Sequence, residues 1–370
     1  TLLERIIFNS GTGSGQLNRT HFRCVWFDTQ IAGKPVALYT LTNKNGAEIC
    51  ITNFGGIVVS LMIPDVSGKM TDVVLGHESI EEYLNTPEKF LGALIGRYGN
   101  RIKKGSFVLD GTRYNIRSNN PDCVLHGGIV GYNNVVWDAR QQDDQTLELT
   151  YLSKDGEEGF PGNLFVKVIY QLTDNNAMKI DYEAFTDKPT VVNLTHHSFF
   201  NLNGDGGGEV TNHKVMINAD HFTPMDDKSV PTGEIRPVKD SPMDFTEPHE
   251  VGERIDSNYE QLIFGKGYDH NYVLNKNYPG EMTLAAKAVS PKTGISMEVH
   301  TTEPGVQLYT GNWLNGFIGK KGRSYSERTA ICFETQHFPD SPNKPHFPST
   351  VLRPGEIYTQ TCIYTFGIEK

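Results

Sequence analysis

The strongest constraint on the fold is a two-residue alternation of apolar and polar side chains between residues 164 and 187, which read LFVKVIYQLTDNNAMKIDYEAFTD. Met178, Ile180 and Tyr182 are separated there by charged side chains. Because successive side chains of a strand point to opposite faces, the alternation predicts strands with one buried face. The TDNN segment at 173–176 has turn-forming composition, so the stretch predicts a β-hairpin.

Strand-like segments of this kind recur along the chain, separated by turn-forming residues at short intervals. Clear examples are residues 47–65, 147–155, 296–311 and 355–368. No repeat of 20–50 residues is evident, which makes a propeller a poorer interpretation than a large sandwich. The sequence therefore predicts an all-β fold, a large single-domain antiparallel β-sandwich with few short helices.

Helix signals are rare, and one short helix is indicated within SIEEYLNTPEKF at residues 79–90. Ser79 and Glu82 have the spacing of a capping box. Pro87 is expected to end or kink the helix, because proline lacks the amide hydrogen that a helix interior needs.

The domain organisation follows from continuity of the strand pattern. Two segments with loop composition, residues 203–210 and 223–245, do not interrupt that pattern. We therefore expect one domain over residues 21–370. Residues 1–20 contain a Gly/Ser-rich break and are interpreted as an N-terminal extension.

Charge and hydropathy argue against two classes of partner. The formal net charge is −10, and the longest basic run is KKGR at 320–323, so the clustered Lys and Arg of a nucleic-acid-binding surface are missing. The sequence has no run of 18 apolar residues, so no membrane span is expected.

Cysteine usage bears on the compartment. The five cysteines are far apart, odd in number and without CxxC spacing, which argues against a disulfide framework or a zinc ribbon. Reduced thiols favour a cytoplasmic location. An exported protein whose signal peptide had been removed would leave the same sequence, so a periplasmic or extracellular home stays open.

Five separated clusters hold side chains that could carry chemistry. Each has a structural interpretation when taken alone: a salt bridge for the arginines, a turn for His-Gly-Gly, a buried pair for the adjacent histidines. The clusters are GRYGNRI at 96–102, VLHGGIVGYNNVVW at 124–137, NLTHHSFFNL at 193–202, GYDHNY at 267–272 and FETQHFPDSPN at 333–343.

Taken together and in this order, the clusters resemble the aldose 1-epimerase (galactose mutarotase) family from about residue 30 to the C-terminus. The family stretch Asn-x-Thr-Asn-His-x-Tyr-Phe-Asn-Leu is similar to NLTHHSFFNL, with its histidine at His197. The chain departs from it twice: His196 replaces an asparagine and Phe199 replaces a tyrosine. Loss of the tyrosine hydroxyl bears on substrate preference more than on chemistry.

The resemblance implies a galactose mutarotase-like supersandwich and a set of site residues. Glu334 is expected to be the general base and His197 the general acid, with His126 donating a second hydrogen bond near the ring oxygen. Phe199 or Trp313 could offer an aromatic face to the sugar, although a core role explains either equally well. The expected substrate-binding residues are Asn100, Arg101, His126, Asp269 and Gln307.

The reaction implied by the resemblance interconverts the α and β anomers of a free aldohexose such as galactose or glucose. A base takes the C1 hydroxyl proton while an acid protonates the ring oxygen, and the opened ring closes on the other face. This chemistry needs no cofactor and no metal. The expected partner is the small-molecule sugar alone, and the expected state is a monomer or weak homodimer.

Three other functions remain open from the sequence. A glycoside hydrolase would need two carboxylates flanking one bond, for which Asp269 and Glu334 could be proposed. A non-catalytic sugar-binding module would not need both Glu334 and His197. A hexose-6-phosphate epimerase would want an arginine cluster for the phosphate. A zinc site on His196 and His197 is disfavoured, because adjacent strand residues diverge.

Overall fold

The computed structural model describes residues 26–369, and the predicted N-terminal extension at 1–20 lies outside them. The α-helices in the described part are α1 (Ile80–Asn85), α2 (Val251–Arg254) and α3 (Glu260–Gly265). The strands, in chain order, are β1 (Thr29–Ile31), β2 (Lys34–Val36), β3 (Leu38–Thr42), β4 (Glu48–Thr52), β5 (Ile57–Pro64), β6 (Met70–Asp72), β7 (Leu94–Ile95), β8 (Arg101–Lys103), β9 (Ser106–Leu109), β10 (Thr112–Asn115), β11 (Cys123–Leu125), β12 (Asp138–Asp143), β13 (Thr146–Ser153), β14 (Leu164–Leu172), β15 (Ala177–Thr186), β16 (Thr190–Val191), β17 (Thr195–His196), β18 (Lys214–Ile217), β19 (His221–Thr223), β20 (Arg236–Pro237), β21 (His249–Glu250), β22 (Asp269–Val273), β23 (Thr283–Val289), β24 (Ile295–Thr301), β25 (Gly305–Tyr309), β26 (Phe317–Ile318), β27 (Ser324–Tyr325), β28 (Cys332–Gln336), β29 (Val351–Leu352) and β30 (Tyr358–Ile368).

Three sheets carry most of the fold. The largest has nine strands in the order β12-β13-β14-β15-β30-β24-β23-β18-β21. The second has five strands, β20-β19-β22-β25-β28, and the third has four, β3-β4-β5-β6. Neighbouring strands within the three sheets run antiparallel. The predicted all-β fold is confirmed.

The predicted hairpin is β14 and β15, which lie in the nine-stranded sheet. Val166 faces Ala184 and Tyr170 faces Ile180 across the pair, and these side chains are buried. They belong to one core that also contains Ile49 of the four-stranded sheet and apolar side chains of the five-stranded sheet. The inner faces of the three sheets therefore share one apolar interior, which is what the alternating pattern requires.

Helix α1 begins with the predicted capping box. Ser79 accepts a hydrogen bond from the backbone N–H of Glu82, and the Glu82 carboxylate accepts from the backbone N–H of Ser79. The prediction of few short helices is confirmed, and α2 and α3, which the sequence does not single out, also form. They span four and six residues, which is too short to give a recognisable helical period. Within residues 26–369 no helix is long and apolar enough to cross a membrane.

Candidate active site

Six of the seven predicted site residues line one cavity of about 580 Å³. They come from different elements: β28, β22, β8 with the residue before it, and the residues that follow β11 and β17. The cavity walls also include Glu88, Phe90 and Tyr309. The six predicted residues are Asn100, Arg101, His126, His197, Asp269 and Glu334.

The seventh predicted residue, Gln307, lies behind the cavity wall. It is buried on β25, directly opposite Glu334 of β28. Its Nε2 atom donates a 2.8 Å hydrogen bond to Oδ1 of Asp269, whose Oδ2 lies 3.5 Å from Nη2 of Arg101. Gln307 and Arg101 therefore fix the Asp269 carboxylate from two sides.

A buried amide that the sequence interpretation passed over links these groups. Gln336 Nε2 donates to Oε1 of Gln307 at 3.2 Å and to Oδ1 of Asn271 at 3.1 Å. Its Oε1 accepts from Nδ2 of Asn100 at 3.5 Å. Gln336 stands two residues after Glu334 on the same strand, so the period of two was the signal that could have found it.

Asn100 and His126 hold each other in an uncommon backbone conformation. Their φ angles are +63° and +50°, a region that residues other than glycine visit rarely. The Asn100 backbone N–H donates to Nδ1 of His126 at 3.0 Å, and the His126 backbone N–H donates to the Asn100 carbonyl at 2.9 Å. Such outliers cluster at functional sites, because the surrounding structure must hold them in place.

The glycines after His126 allow other parts of this chain to pack closely against their backbone. A Cβ atom on Gly127 would lie 2.1 Å from the Gly96 carbonyl oxygen, and one on Gly128 would lie 2.5 Å from the Glu158 carboxylate. Both residues also have positive φ angles. The close approach that these glycines allow is therefore to other parts of this chain.

Arg97 and Arg101 of the GRYGNRI cluster divide between structure and site. Arg97 is buried and donates to the backbone carbonyls of Pro161 and Ser153, and also to the Thr190 and Ser153 hydroxyls. Arg101 faces the cavity and Asp269. The first arginine therefore holds the loop from which the second reaches the site.

The adjacent histidines point to opposite sides, as predicted. His196 packs in the interior, with Nδ1 3.0 Å from the Tyr170 hydroxyl and Nε2 2.5 Å from Ser198 Oγ. His197 lines the cavity, and its backbone is fixed between Ala93 and Gly92 by two 2.9 Å hydrogen bonds. Thus His196 fills a structural position and His197 a site position.

Aromatic rings hold the imidazoles of the cavity. The Phe199 ring stacks on His197 with centroids 4.8 Å apart and planes 17° apart. The Phe90 ring stacks on His197 less closely, with centroids 6.1 Å apart, and meets the His126 ring edge-on at 4.6 Å. Phe199 is fully buried, whereas Trp313 is 54% exposed at the cavity rim. Of these two aromatic candidates, only Trp313 has its ring widely accessible from solvent.

The central geometry is one carboxyl group between two imidazoles. Nε2 of His197 lies 3.5 Å from Oε1 of Glu334, and Nε2 of His126 lies 3.9 Å from Oε2. All three side chains are nearly inaccessible to solvent. Burial, helped by the Asp269 charge, raises the pKa of Glu334 well above its usual value, while burial lowers the pKa of His197 to about 4.

These three side chains lie close enough to suggest a metal site, since their ligand atoms lie within 4.8 Å of one another. The His126 tautomer opposes that interpretation. Because the Asn100 backbone N–H donates to Nδ1, a neutral His126 carries its proton on Nε2, the atom that faces Glu334. A protonated nitrogen cannot ligate a metal. The set fits proton transfer better than metal binding.

An all-β sandwich whose cavity holds a buried carboxyl–imidazole pair has the groups that acid–base catalysis needs. The family model for aldose 1-epimerase matches residues 37–365. The chain belongs to the aldose 1-epimerase family.

Named relatives span nearly the whole chain. A galactose mutarotase from Bos taurus is 39% identical over 347 residues, covering 94% of this chain and 98% of that relative. An aldose 1-epimerase from Escherichia coli is 35% identical over 339 residues, covering 91% of this chain and 97% of that relative.

Solved structures give the same result. An aldose epimerase homologue from C. elegans has a TM-score of 0.83 and 30% identity, covering 90% of this chain and 100% of its own. A galactose 1-epimerase from Lactobacillus acidophilus has a TM-score of 0.81 and 27% identity, covering 92% and 97%. The predicted resemblance and the supersandwich fold are confirmed.

Proposed function

We propose that this protein is an isomerase that interconverts the α and β anomers of a free aldohexose such as galactose. The observation that carries the proposal is the Glu334 carboxyl group placed 3.5 Å from His197 in a cavity lined by further hydrogen-bonding side chains. Membership of the aldose 1-epimerase family supports the same reaction.

In the proposed reaction, Glu334 accepts the proton of the C1 hydroxyl while His197 donates a proton to the ring oxygen. The bond between C1 and the ring oxygen breaks, and C1 becomes the aldehyde carbon. Rotation about C1–C2 presents the other face of the aldehyde. On closure Glu334 returns its proton to the former aldehyde oxygen, His197 regains its own from the C5 hydroxyl, and the ring bond re-forms.

The number of protons that Glu334 and His197 hold between them suits this exchange. Burial favours the neutral forms, with the proton on Glu334 and an uncharged His197. The carboxylate and imidazolium form contains the same number of protons, so a transfer across 3.5 Å converts one into the other. A sugar that donates from its C1 hydroxyl and accepts at its ring oxygen stabilises the charged form, since it hydrogen-bonds to both ions.

The remaining cavity residues are proposed to bind and orient the sugar. His126 keeps its Nε2 proton and so donates near the ring oxygen. Asp269 and Arg101, with Asn100, bind hydroxyl groups, and Gln307 acts from behind by orienting Asp269. Holding both reacting groups beside the sugar replaces encounters with solvent catalysts, and each acid or base contributes about 10²–10⁴-fold.

The proposal extends to the state of the protein. The family model spans residues 37–365, which supports one domain over 21–370. The four cysteines in the described part of the chain are buried free thiols, which suits a cytoplasmic location. We propose a monomer or weak homodimer, which size-exclusion chromatography over a range of concentrations tests.

Exchange NMR of equilibrated sugars tests the reaction. The protein is expected to speed magnetisation transfer between the two anomeric protons of galactose, with glucose as the second sugar. Acceleration with hexose 6-phosphates in place of free hexoses would favour the phosphate-specific alternative. Release of nitrophenol from a nitrophenyl galactoside would favour a hydrolase, and galactose binding without any acceleration would favour a binding module.

A further inference from the structure

Glu88 is a cavity residue that no part of the mechanism uses. Helix α1 ends at Asn85, and Pro87 turns the chain so that Glu88 and Phe90 enter the cavity wall. The segment is held in place, because the Asn133 side chain donates to the backbone carbonyl of Lys89 at 3.0 Å. The position of Glu88 is therefore built into the wall.

The protein supplies a hydrogen-bond donor to only one oxygen of the Glu88 carboxyl group. Its Oε1 atom accepts a 3.0 Å hydrogen bond from the Phe90 backbone N–H. Among residues 26–369, its second oxygen accepts no hydrogen bond and no cation forms an ion pair with it. The adjacent Lys89 donates instead to the Leu84 carbonyl. Burial of the carboxyl group raises the pKa of Glu88 to about 7.

A half-buried carboxyl group without a counter-ion is costly, and proteins usually compensate it with hydrogen-bond donors. Asp269 and Glu334 face the same cavity. The cavity donors Arg101 and Asn100 bond to Asp269 and Gln336 rather than to Glu88. Glu88 is close enough that its charge adds to burial and Asp269 in raising the pKa of Glu334. A molecule that fills the cavity can therefore supply the donors that Glu88 lacks.

We propose that Glu88 is a further substrate-binding residue, whose free carboxyl oxygen accepts a hydrogen bond from one hydroxyl group of the aldose. The inference rests on the proposed function and adds a contact to it. The C1 hydroxyl is taken by Glu334, so the partner of Glu88 is one of the other ring hydroxyls or the C6 hydroxyl. A polyol supplies the neutral donors that this carboxyl group lacks.

The contact is tested by a thermodynamic cycle in which one change is a substitution at Glu88 and the other is removal of one hydroxyl group from the sugar. Glu88→Gln keeps the shape of the side chain and the acceptor for Phe90, and it replaces the free oxygen with an amide nitrogen. KM and kcat are measured for galactose and for its 2-, 3-, 4- and 6-deoxy forms. Glu81→Gln on α1 is the matched control, because Glu81 is exposed outside the cavity.

The expected result is a KM for galactose about tenfold higher in Glu88→Gln, with kcat within about threefold of the wild type. That rise should vanish for one of the deoxy sugars, because the hydroxyl that Glu88 contacts is then absent. Glu88→Ala should select the same deoxy sugar. Equal rises for every sugar, no rise at all, or a fall in kcat alone would overturn the proposal.

The outcome is separable from that of the proposed function. If the wild type did not accelerate galactose, the isomerase proposal would fail, and calorimetric titration with galactose would then test Glu88. Weaker binding by about tenfold in Glu88→Gln, with Glu81→Gln unchanged, would support the contact. Equal binding by the two variants, or no binding by the wild type, would overturn it.

Discussion

Asn100 and His126 exchange hydrogen bonds in both directions, backbone to ring at 3.0 Å and backbone to backbone at 2.9 Å. The first bond decides which ring nitrogen of His126 carries the proton. Burial, with the nearby charge of His197, holds the pKa of His126 well below its usual value, so the ring stays neutral near pH 7. His126 is thus a fixed donor that points its Nε2–H into the cavity.

The Nε2–H donor of His126 can be removed while the hydrogen bond from the Asn100 backbone N–H to the side chain is kept. In His126→Asn the amide oxygen can still accept from the Asn100 N–H, but the Nε2–H donor is lost. We expect kcat to fall by about 10²-fold, as for loss of one preorganised donor, and the fold to survive. The ¹⁵N spectrum of the wild type should show His126 protonated at Nε2, and a proton on Nδ1 would contradict the assignment.

The two adjacent histidines should respond differently to the same substitution. His197→Asn removes the proposed acid and should lower kcat by about 10²–10⁴-fold with little change in stability. His196→Asn removes the contacts with Tyr170 and Ser198, which costs about 1–3 kcal/mol of unfolding free energy, but activity should be largely retained. Polarimetry and urea unfolding measure the two effects. Severe loss of activity in His196→Asn would give that residue a role of its own.

Stability should depend on pH through buried histidines, and His213 isolates the effect. Burial lowers its pKa to about 3, below the value near 6.5 of an unfolded chain. The unfolded state therefore binds a proton between pH 6.5 and about 3 that the native state does not. The stability contributed by neutral His213 is complete above pH 6.5 and is lost as the pH falls.

The measurement is urea unfolding of the wild type and His213→Asn at several pH values. The advantage of the wild type over the variant should shrink by about 1.4 kcal/mol per pH unit below pH 6. Taking the difference removes the contributions of the other buried groups, such as Glu334, which titrate in both proteins. A difference that stayed constant from pH 7 to pH 5 would mean that His213 is not held neutral.

Gln307 should affect binding more than chemistry. Gln307→Leu preserves volume but leaves Asp269 Oδ1 without its 2.8 Å donor. A hydrogen bond to a charged group is worth about 1.5–3 kcal/mol, so we expect KM for galactose to rise by about tenfold with kcat little changed. Gln142→Leu on the exposed strand β12 is the control. A fall in kcat as large as that of the acid–base variants would show that Gln307 acts on the reacting atoms.

The sequence alone predicts the secondary-structure elements whose apolar side chains recur with a clear period or whose ends carry a capping motif. The hairpin of β14 and β15 follows from alternation alone, and the capping box of Ser79 and Glu82 places the start of α1. Short helices such as α2 escaped because four residues cannot display a helical period. Their formation depends on tertiary packing, which a local pattern does not contain.

The site was only partly accessible from the sequence. The resemblance picked out six residues that share the cavity, although their separation along the chain gives no distances. It could not show that Gln307 stands behind Asp269, or that the glycines after His126 avoid a clash with Gly96. Glu88 was hidden because Pro87 explained its segment as the end of a helix, and only the folded chain places it beside Glu334.

Polarimetry of freshly dissolved α-D-galactose, with the wild type and with Glu334→Gln, tests the central claim most directly. Glutamine matches the neutral carboxyl group in shape, so the variant should fold with nearly the same unfolding free energy. The wild type should bring the rotation to equilibrium faster than the spontaneous reaction, and the variant should lose about 10²–10⁴-fold of that acceleration. Equal acceleration by both proteins would contradict the assignment of Glu334 as the base.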